Sequence, residues 1–315
     1  MAQNPFPHST DNKRYHTWNY HLRQKFGGKV FKVPLNAGFT CPNLDGSKGT
    51  GGCIFCANGG GGAAPGAAAE ELSRQFEAGR DALHRKWPQA QYIAYFQSNT
   101  NTYAPLERLR ELFEAALRPP GVVGLAVATR ADVLNEETAC YLAQLSRRTY
   151  LTVELGLQTA HDETGGRINR CHTYAEFLEG YRLLADRGIP VCVHLINGLP
   201  GESGPMMLET ARRVAALRPH SVKIHMLHLL RGTPAAAMWS RGAFSLLGRA
   251  EYVDIVCRQL ELLPPETVIQ RLTGDAPLGE LLAPQWTRKK FVVLNEIDKE
   301  LARRDTMQGA AFLQK

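Results

Sequence analysis

The run Asn36-Ala37-Gly38-Phe39-Thr40-Cys41-Pro42-Asn43, followed ten residues later by Cys53-Ile54-Phe55-Cys56, sets three thiols in a glycine-rich loop with the spacing Cys-x11-Cys-x2-Cys. Three thiolates hold three irons of a cubane 4Fe-4S cluster, whose usual ligation takes four cysteines, and leave one iron without a protein ligand. An open position on a metal centre is where a small molecule binds, as in three-ligand catalytic zinc sites. Phe55, between the last two thiols, adds an apolar edge, and the glycines from Gly46 to Gly62 let the backbone curl around a bulky core. A structural zinc site is the other reading of three cysteines with a histidine. His8, His16, His21 and His84 stand at no short zinc-ribbon spacing from the thiols, and no second Cys-x2-Cys occurs.

Outward from this loop, strand-like and helix-like segments alternate. The patterns predict strands at 29–35, 91–97, 122–128, 150–156, 190–196, 221–229 and 267–271, with helices at 67–86, 106–117, 135–147, 174–187, 205–217 and 249–263. Such alternation implies an α/β fold with a parallel sheet and right-handed crossovers. About six units make a partial (β/α)6 TIM-like barrel. Residues 1–28 read as a basic and aromatic arm, 29–277 as the barrel, and 278–315 as a capping-helix region with the apolar stripe Trp286, Val293, Leu294, Ile297 and Leu301.

In such barrels ligands gather at the C-terminal ends of the strands. The cysteine loop follows the first strand, and the second runs into Gln97 to Tyr103, seven residues that all carry hydrogen-bonding side chains. Inside the strands, Thr152 and Glu154 share one face while Leu151, Val153 and Leu155 share the other. Cys192 with His194, and Lys223 with His225, repeat the pattern. A buried carboxylate needs partners, so these residues predict a polar lumen with a cavity. His225 and His228, three apart, point to opposite faces and are no two-histidine metal pair.

The Cys-x-aromatic-Cys ending with a third cysteine upstream resembles the radical S-adenosylmethionine (SAM) superfamily. The wider spacing, the run Asn36 to Asn43, Arg231-Gly232-Thr233 and Arg271 to Pro277 resemble its YhcC-type branch, related to the catalytic subunit of Elongator. The resemblance covers nearly the whole chain. It implies a radical SAM barrel, Cys41, Cys53 and Cys56 as ligands of a 4Fe-4S cluster, and SAM at the open iron as source of a radical that abstracts hydrogen. It places SAM contacts at Gln97 and Asn101, where other members carry a glycine-glycine-glutamate motif, and at Glu154 and Gln158. Arg170 is expected to clamp the SAM carboxylate, Asn197-Gly198 to back the adenine, and Phe55 to flank the cofactors. Cys171 stands where family members carry the glycine of Arg-Gly-His, which implies a local backbone difference.

Lysine plus arginine exceeds aspartate plus glutamate by 37 to 30, a formal charge of +7 that permits an anionic partner. Lys13 to Lys32 interleaves Arg14, Arg23, Lys25 and Lys29 with Tyr15, His16, Trp18, Tyr20 and Phe26. That is the composition of a single-strand nucleic-acid platform and equally of an arm packed on a barrel. No apolar run approaches the roughly 20 residues needed to cross a bilayer, and no signal peptide is expected. Seven cysteines, three of them clustered, suit a reducing cytoplasm rather than a disulfide framework. The resemblance implies a tRNA wobble-uridine substrate, trimmed from carboxymethylaminomethyl to aminomethyl, and a reducing donor such as flavodoxin or ferredoxin. A carboxymethyl group wants a cation in the lumen, so Lys223 and Arg130, with His225, are the catalytic candidates. Two alternatives stay open: radical chemistry on a small molecule such as a porphyrin precursor, and a non-catalytic RNA-binding protein with a structural metal.

Overall fold

Runs of β-branched and aromatic residues form the strands, and amphipathic stripes form the helices that connect them. The computed structural model describes residues 4–57, 69–277 and 279–312, so Gly59 to Gly62 of the cysteine loop lie outside it. In chain order the first half comprises α1 (Trp18–Phe26), β1 (Val30–Leu35), α2 (Ala69–His84), β2 (Gln91–Phe96), α3 (Leu106–Leu117), β3 (Val122–Thr129), α4 (Glu136–Arg148) and β4 (Tyr150–Gln158). The second half comprises α5 (Asp162–Arg167), α6 (Tyr174–Ala185), β5 (Val191–Asn197), α7 (Gly204–Ala216), β6 (Ser221–Met226), β7 (Leu229–Leu230), α8 (Pro234–Ser240), α9 (Arg249–Leu262), β8 (Val268–Arg271), β9 (Leu281–Ala283) and α10 (Lys290–Arg303).

The main sheet has seven strands in the order β1-β2-β3-β4-β5-β6-β8, every neighbouring pair parallel. The expected partial barrel is therefore present, its seven strands lying at the seven predicted segments. Its curl brings the two edge strands close, since the Lys32 ammonium of β1 donates to Gln270 Oε1 of β8 at 2.6 Å. The predicted strand over 221–229 stops at Met226. There the Leu227 N–H turns to Asn197 O, and Leu229–Leu230 pairs antiparallel with β9, because Leu229 is buried in a second apolar cluster with Ile54, Ile168 and Leu199.

Leu151, Val153 and Leu155 of β4 point outward into the main core, together with Leu109, Phe113 and Leu142 of the flanking helices. α6 lies close against the turn Ala131–Val133, where a Cβ at Gly180 would sit 2.2 Å from Ala131 O. α10 packs its stripe on α9 beyond the last strand, burying Val293, Ile297 and Leu301.

The N-terminal arm closes the bottom of the barrel. Thr17 caps α1 by accepting from Tyr20 N–H, and its backbone bridges to Ile269 of β8. Leu22 then packs with Val30, Ile93 and Ala126, with Trp18, Phe26 and Tyr150 around them. Tyr15 and His16 are buried as well. The aromatic residues of the arm thus serve as packing for the N-terminal end of the lumen. Among the described residues, no helix is long and apolar enough to cross a membrane.

Candidate active site

At the C-terminal ends of the strands lies a cavity of about 190 Å3, with Cys41, Cys53, Cys56 and Phe55 on one wall and Glu154 and His194 among its other lining residues. The thiols are placed by turns in the loop itself. Leu44 N–H donates to Cys41 O at 2.8 Å, Gly52 N–H to Asn43 O at 2.8 Å, and Cys56 N–H to Cys53 O at 2.9 Å. The segment after β4 clamps that loop, as Asn169 Nδ2 donates to Thr50 O and Gly52 O and Ile54 N–H donates to Ile168 O. Gly49 is required by space, because a Cβ there would lie 2.4 Å from Asn43 Oδ1.

Cys53 is buried and accepts from Asn43 Nδ2 and Arg170 Nη1, each at 3.7 Å. A hydrogen bond from the Cys56 thiol, aided by the Arg170 and Arg130 guanidiniums, outweighs burial and brings the Cys53 thiol down to about 5. Three soft donors on one wall, one already favoured as thiolate, fit an iron-sulfur cluster with one open iron. A zinc reading needs a fourth ligand. His194, the one histidine lining this cavity among the described residues, is engaged through Nε2 with Glu154. Cys171 does not line the cavity, and it takes a φ of 54°, the left-handed conformation a glycine would adopt.

Beneath the thiols, the Glu154 side chain is fully buried and is the centre of a charged cage. Its Oε1 accepts from Lys32 Nζ at 2.5 Å. Its Oε2 accepts from Tyr95 Oη at 2.8 Å, from His194 Nε2 at 2.9 Å and from the Lys223 ammonium. Burial pushes the carboxyl up, but Lys223, Lys32 and His194 more than offset it and hold Glu154 well below the usual carboxylate range. Burial and Lys223 bring His194 down to about 4, so it is neutral. Two ammoniums thus share one carboxylate, and among the described residues neither has a second acid within ion-pair distance. Burial, with Lys223 adding to it, brings Lys32 down to about 8 despite Glu154.

The remaining predicted positions divide sharply. Gln158 lines the cavity with a left-handed φ of 73°. Gln97 is exposed, outside the cavity lining, and the Asn101 amide is directed to the carbonyls of Ser98 and Ala128, so it holds the turn. In their place Asn99 and Thr100 reach the cavity, and the buried Thr100 hydroxyl has no partner among the described residues. Asn197 forms a reciprocal amide pair with Gln259 of α9 at 2.8 and 2.9 Å, and Gly198 is a turn glycine at φ 82°. Neither lines the cavity. Arg130 reaches it but commits Nε, Nη1 and Nη2 to Asp132 and to the carbonyls of Arg170 and Cys171. His225 lies outside the lining, with the Arg271 guanidinium against its ring. Burial and Arg271 keep it neutral. Sequence reading passed over Asn43, Lys32, Tyr95 and Gln270. Lys32, Tyr95 and Gln270 carried the signal used for Glu154, a polar side chain within a strand, whereas Asn43 stood in the quoted run Asn36 to Asn43 with nothing to mark its contact with Cys53.

Comparison with known proteins decides the family. The radical SAM superfamily matches residues 46–214, and the Radical_SAM C-terminal domain matches residues 219–303. The chain belongs to the radical SAM superfamily. Its cofactors are those of this superfamily, a 4Fe-4S cluster and S-adenosylmethionine. This radical SAM chain is 49% identical to the uncharacterized protein YtqA of Bacillus subtilis over 99% of its own length and 97% of that protein's. It is 35% identical to protein YhcC of Escherichia coli over 92% and 93% of the two lengths. A shorter match, 28% identical over 49% of this chain and 29% of the other, is to the tRNA uridine(34) acetyltransferase of Methanocaldococcus jannaschii. Among solved structures, Elp3 of Methanocaldococcus infernus lacking residues 1–46 has the same fold, with a TM-score of 0.65 at 19% identity over 89% of this chain and 64% of that one.

Proposed function

We propose that this radical SAM enzyme modifies a wobble-uridine side chain of tRNA, shortening carboxymethylaminomethyl to aminomethyl. The observation that carries this reading is the charge excess at the lumen floor, where Lys32 and Lys223 share the single carboxylate of Glu154 below the three thiols. An uncompensated buried cation is unfavourable alone and favours an incoming anion. A carboxylate-bearing side chain supplies one. Lys223 and Lys32, which lie outside the cavity lining but are bonded to the Glu154 that lines it, take the cation role, while Arg130 yields it because Asp132 already neutralises it. The tRNA assignment draws on the match to the tRNA uridine(34) acetyltransferase and on the overall positive charge.

Cys41, Cys53 and Cys56 would hold the cluster, and Thr100, Glu154 and Gln158, which line the same cavity, would orient SAM. Loaded there and reduced by a donor such as flavodoxin or ferredoxin, the two cofactors would supply the radical chemistry for hydrogen abstraction. The protein's own part is to orient the reacting groups and to exclude water. The α1 plug closes the lower lumen with apolar side chains, and the positive charge that Lys32 and Lys223 carry in excess of Glu154 attracts the anionic end of the substrate. We place the reaction in the cytoplasm, where tRNA is modified.

The test is anaerobic. Protein reconstituted with iron and sulfide is reduced and given SAM with tRNA bearing the carboxymethylaminomethyl group, then assayed for 5′-deoxyadenosine and for the trimmed nucleoside. Both are expected from the native chain and neither from Cys53→Ala. Release of 5′-deoxyadenosine that tRNA does not stimulate, but a small anionic metabolite does, would sink the tRNA reading and leave the radical chemistry.

A further inference from the structure

Arg170 is aimed by three contacts. Its Nη2 donates to Gly156 O at 2.5 Å, its Nε lies 2.9 Å from His172 Nε2, and its Nη1 therefore meets Cys53 Sγ at 3.7 Å. The backbone on either side is held left-handed, with φ of 52° at Asn169 and 54° at Cys171. Non-glycine residues keep such angles only where surrounding structure enforces them. Here the enforcement is visible, because the Asn169 amide is tied to two carbonyls of the cysteine loop. Asn43, with no exposed surface, brings a second N–H to the same sulfur and is itself anchored to Asn169 O. Among the described residues, no nitrogen donor reaches the sulfur of Cys41 or Cys56. The donors are concentrated on one thiolate.

We infer that Arg170 and Asn43 set the reduction potential of the cluster through Cys53, Arg170 acting as a positioning residue and not as a clamp on the SAM carboxylate. Reduction adds one electron, hence one negative charge, drawn from the external donor. N–H donors and a guanidinium on a ligand sulfur stabilise that charge and raise the potential. The inference rests on Cys53 being a cluster ligand, which the iron content of Cys53→Ala checks by itself.

The experiment is a redox titration of the reconstituted cluster without SAM, followed by electron paramagnetic resonance, alongside a measurement of SAM affinity. Arg170→Met is expected to move the midpoint to lower potential, Arg170→Lys to recover part of the shift by restoring the charge, and Asn43→Ala to give a smaller shift of the same sign. SAM affinity should change less than about twofold in Asn43→Ala. Unchanged potentials with SAM affinity lowered about tenfold or more in Arg170→Met would overturn the inference and make Arg170 a SAM clamp. Loss of iron from both Arg170→Met and Asn43→Ala would also overturn it, leaving the two residues as struts of the loop.

Discussion

Leu151, Val153 and Leu155 face the helices, while Thr152, Glu154 and Gly156 face the lumen, and these two faces of β4 obey different rules. The outer face is dry and close-packed, so its stability comes from area removed from water and from the absence of voids. The inner face holds a fully buried carboxylate that is tolerable only because four groups from four other strands converge on it. Neighbouring residues on one strand thus separate structure from chemistry. Damage to the first face should lower stability and spare the reaction; damage to the second should stop the reaction.

The sharpest break of that comparison is Glu154→Leu. It leaves two lysines buried without a counter-charge and should destabilise the fold by about 3–5 kcal/mol, measured by urea unfolding, with loss of SAM cleavage. If activity survived, the cage would be packing alone. On the opposite face, Leu155→Ala should cost about 2–5 kcal/mol through lost burial and a residual cavity. Its 5′-deoxyadenosine yield per folded, cluster-loaded molecule should stay near native, and a parallel collapse of yield would blur the two faces.

A pH profile then probes the cage more gently. Lys32 has been brought down to about 8, so its positive charge is present below that pH and is lost as pH rises through it. Affinity for the carboxylate-bearing tRNA, relative to the aminomethyl form, should fall across that window, and Lys32→Met should flatten the profile. The sign for stability is the reverse. Between about 8 and the ordinary lysine value the unfolded chain binds the proton more tightly, so this group's contribution to stability rises with pH. The smallest effect is expected at Gln97→Ala, an exposed change outside the cavity. Stability should shift by no more than about 0.5 kcal/mol, and SAM affinity, read by equilibrium dialysis, by less than about twofold.

The order of strands and helices was legible in the sequence, because hydrophobic period and turn residues act between near neighbours in the chain. The second-strand turn shows where legibility stops. Gln97 to Tyr103 announced a polar turn at the barrel mouth, yet which of its side chains reach the cavity depends on backbone torsions. Ser98 and Asn99 adopt φ of 67° and 55°, which turns Asn101 back onto carbonyls and brings Thr100 inward. Asn197 fails for a different reason. It sits at the end of a strand as expected of a ligand residue, but its partner Gln259 lies 62 residues away on a helix, with no local signal to link them.

By itself, the sequence determined the three-thiol loop, the parallel barrel and the presence of polar groups inside it, since each depends on spacing along the chain. Only the tertiary structure decided which charges meet. Glu154 lies 122, 59, 40 and 69 residues from Lys32, Tyr95, His194 and Lys223, and Arg170 lies 117 from Cys53. Hydrogen bonds and ion pairs act over a few ångströms, so partners this far apart in the chain exist only once the sheet has curled.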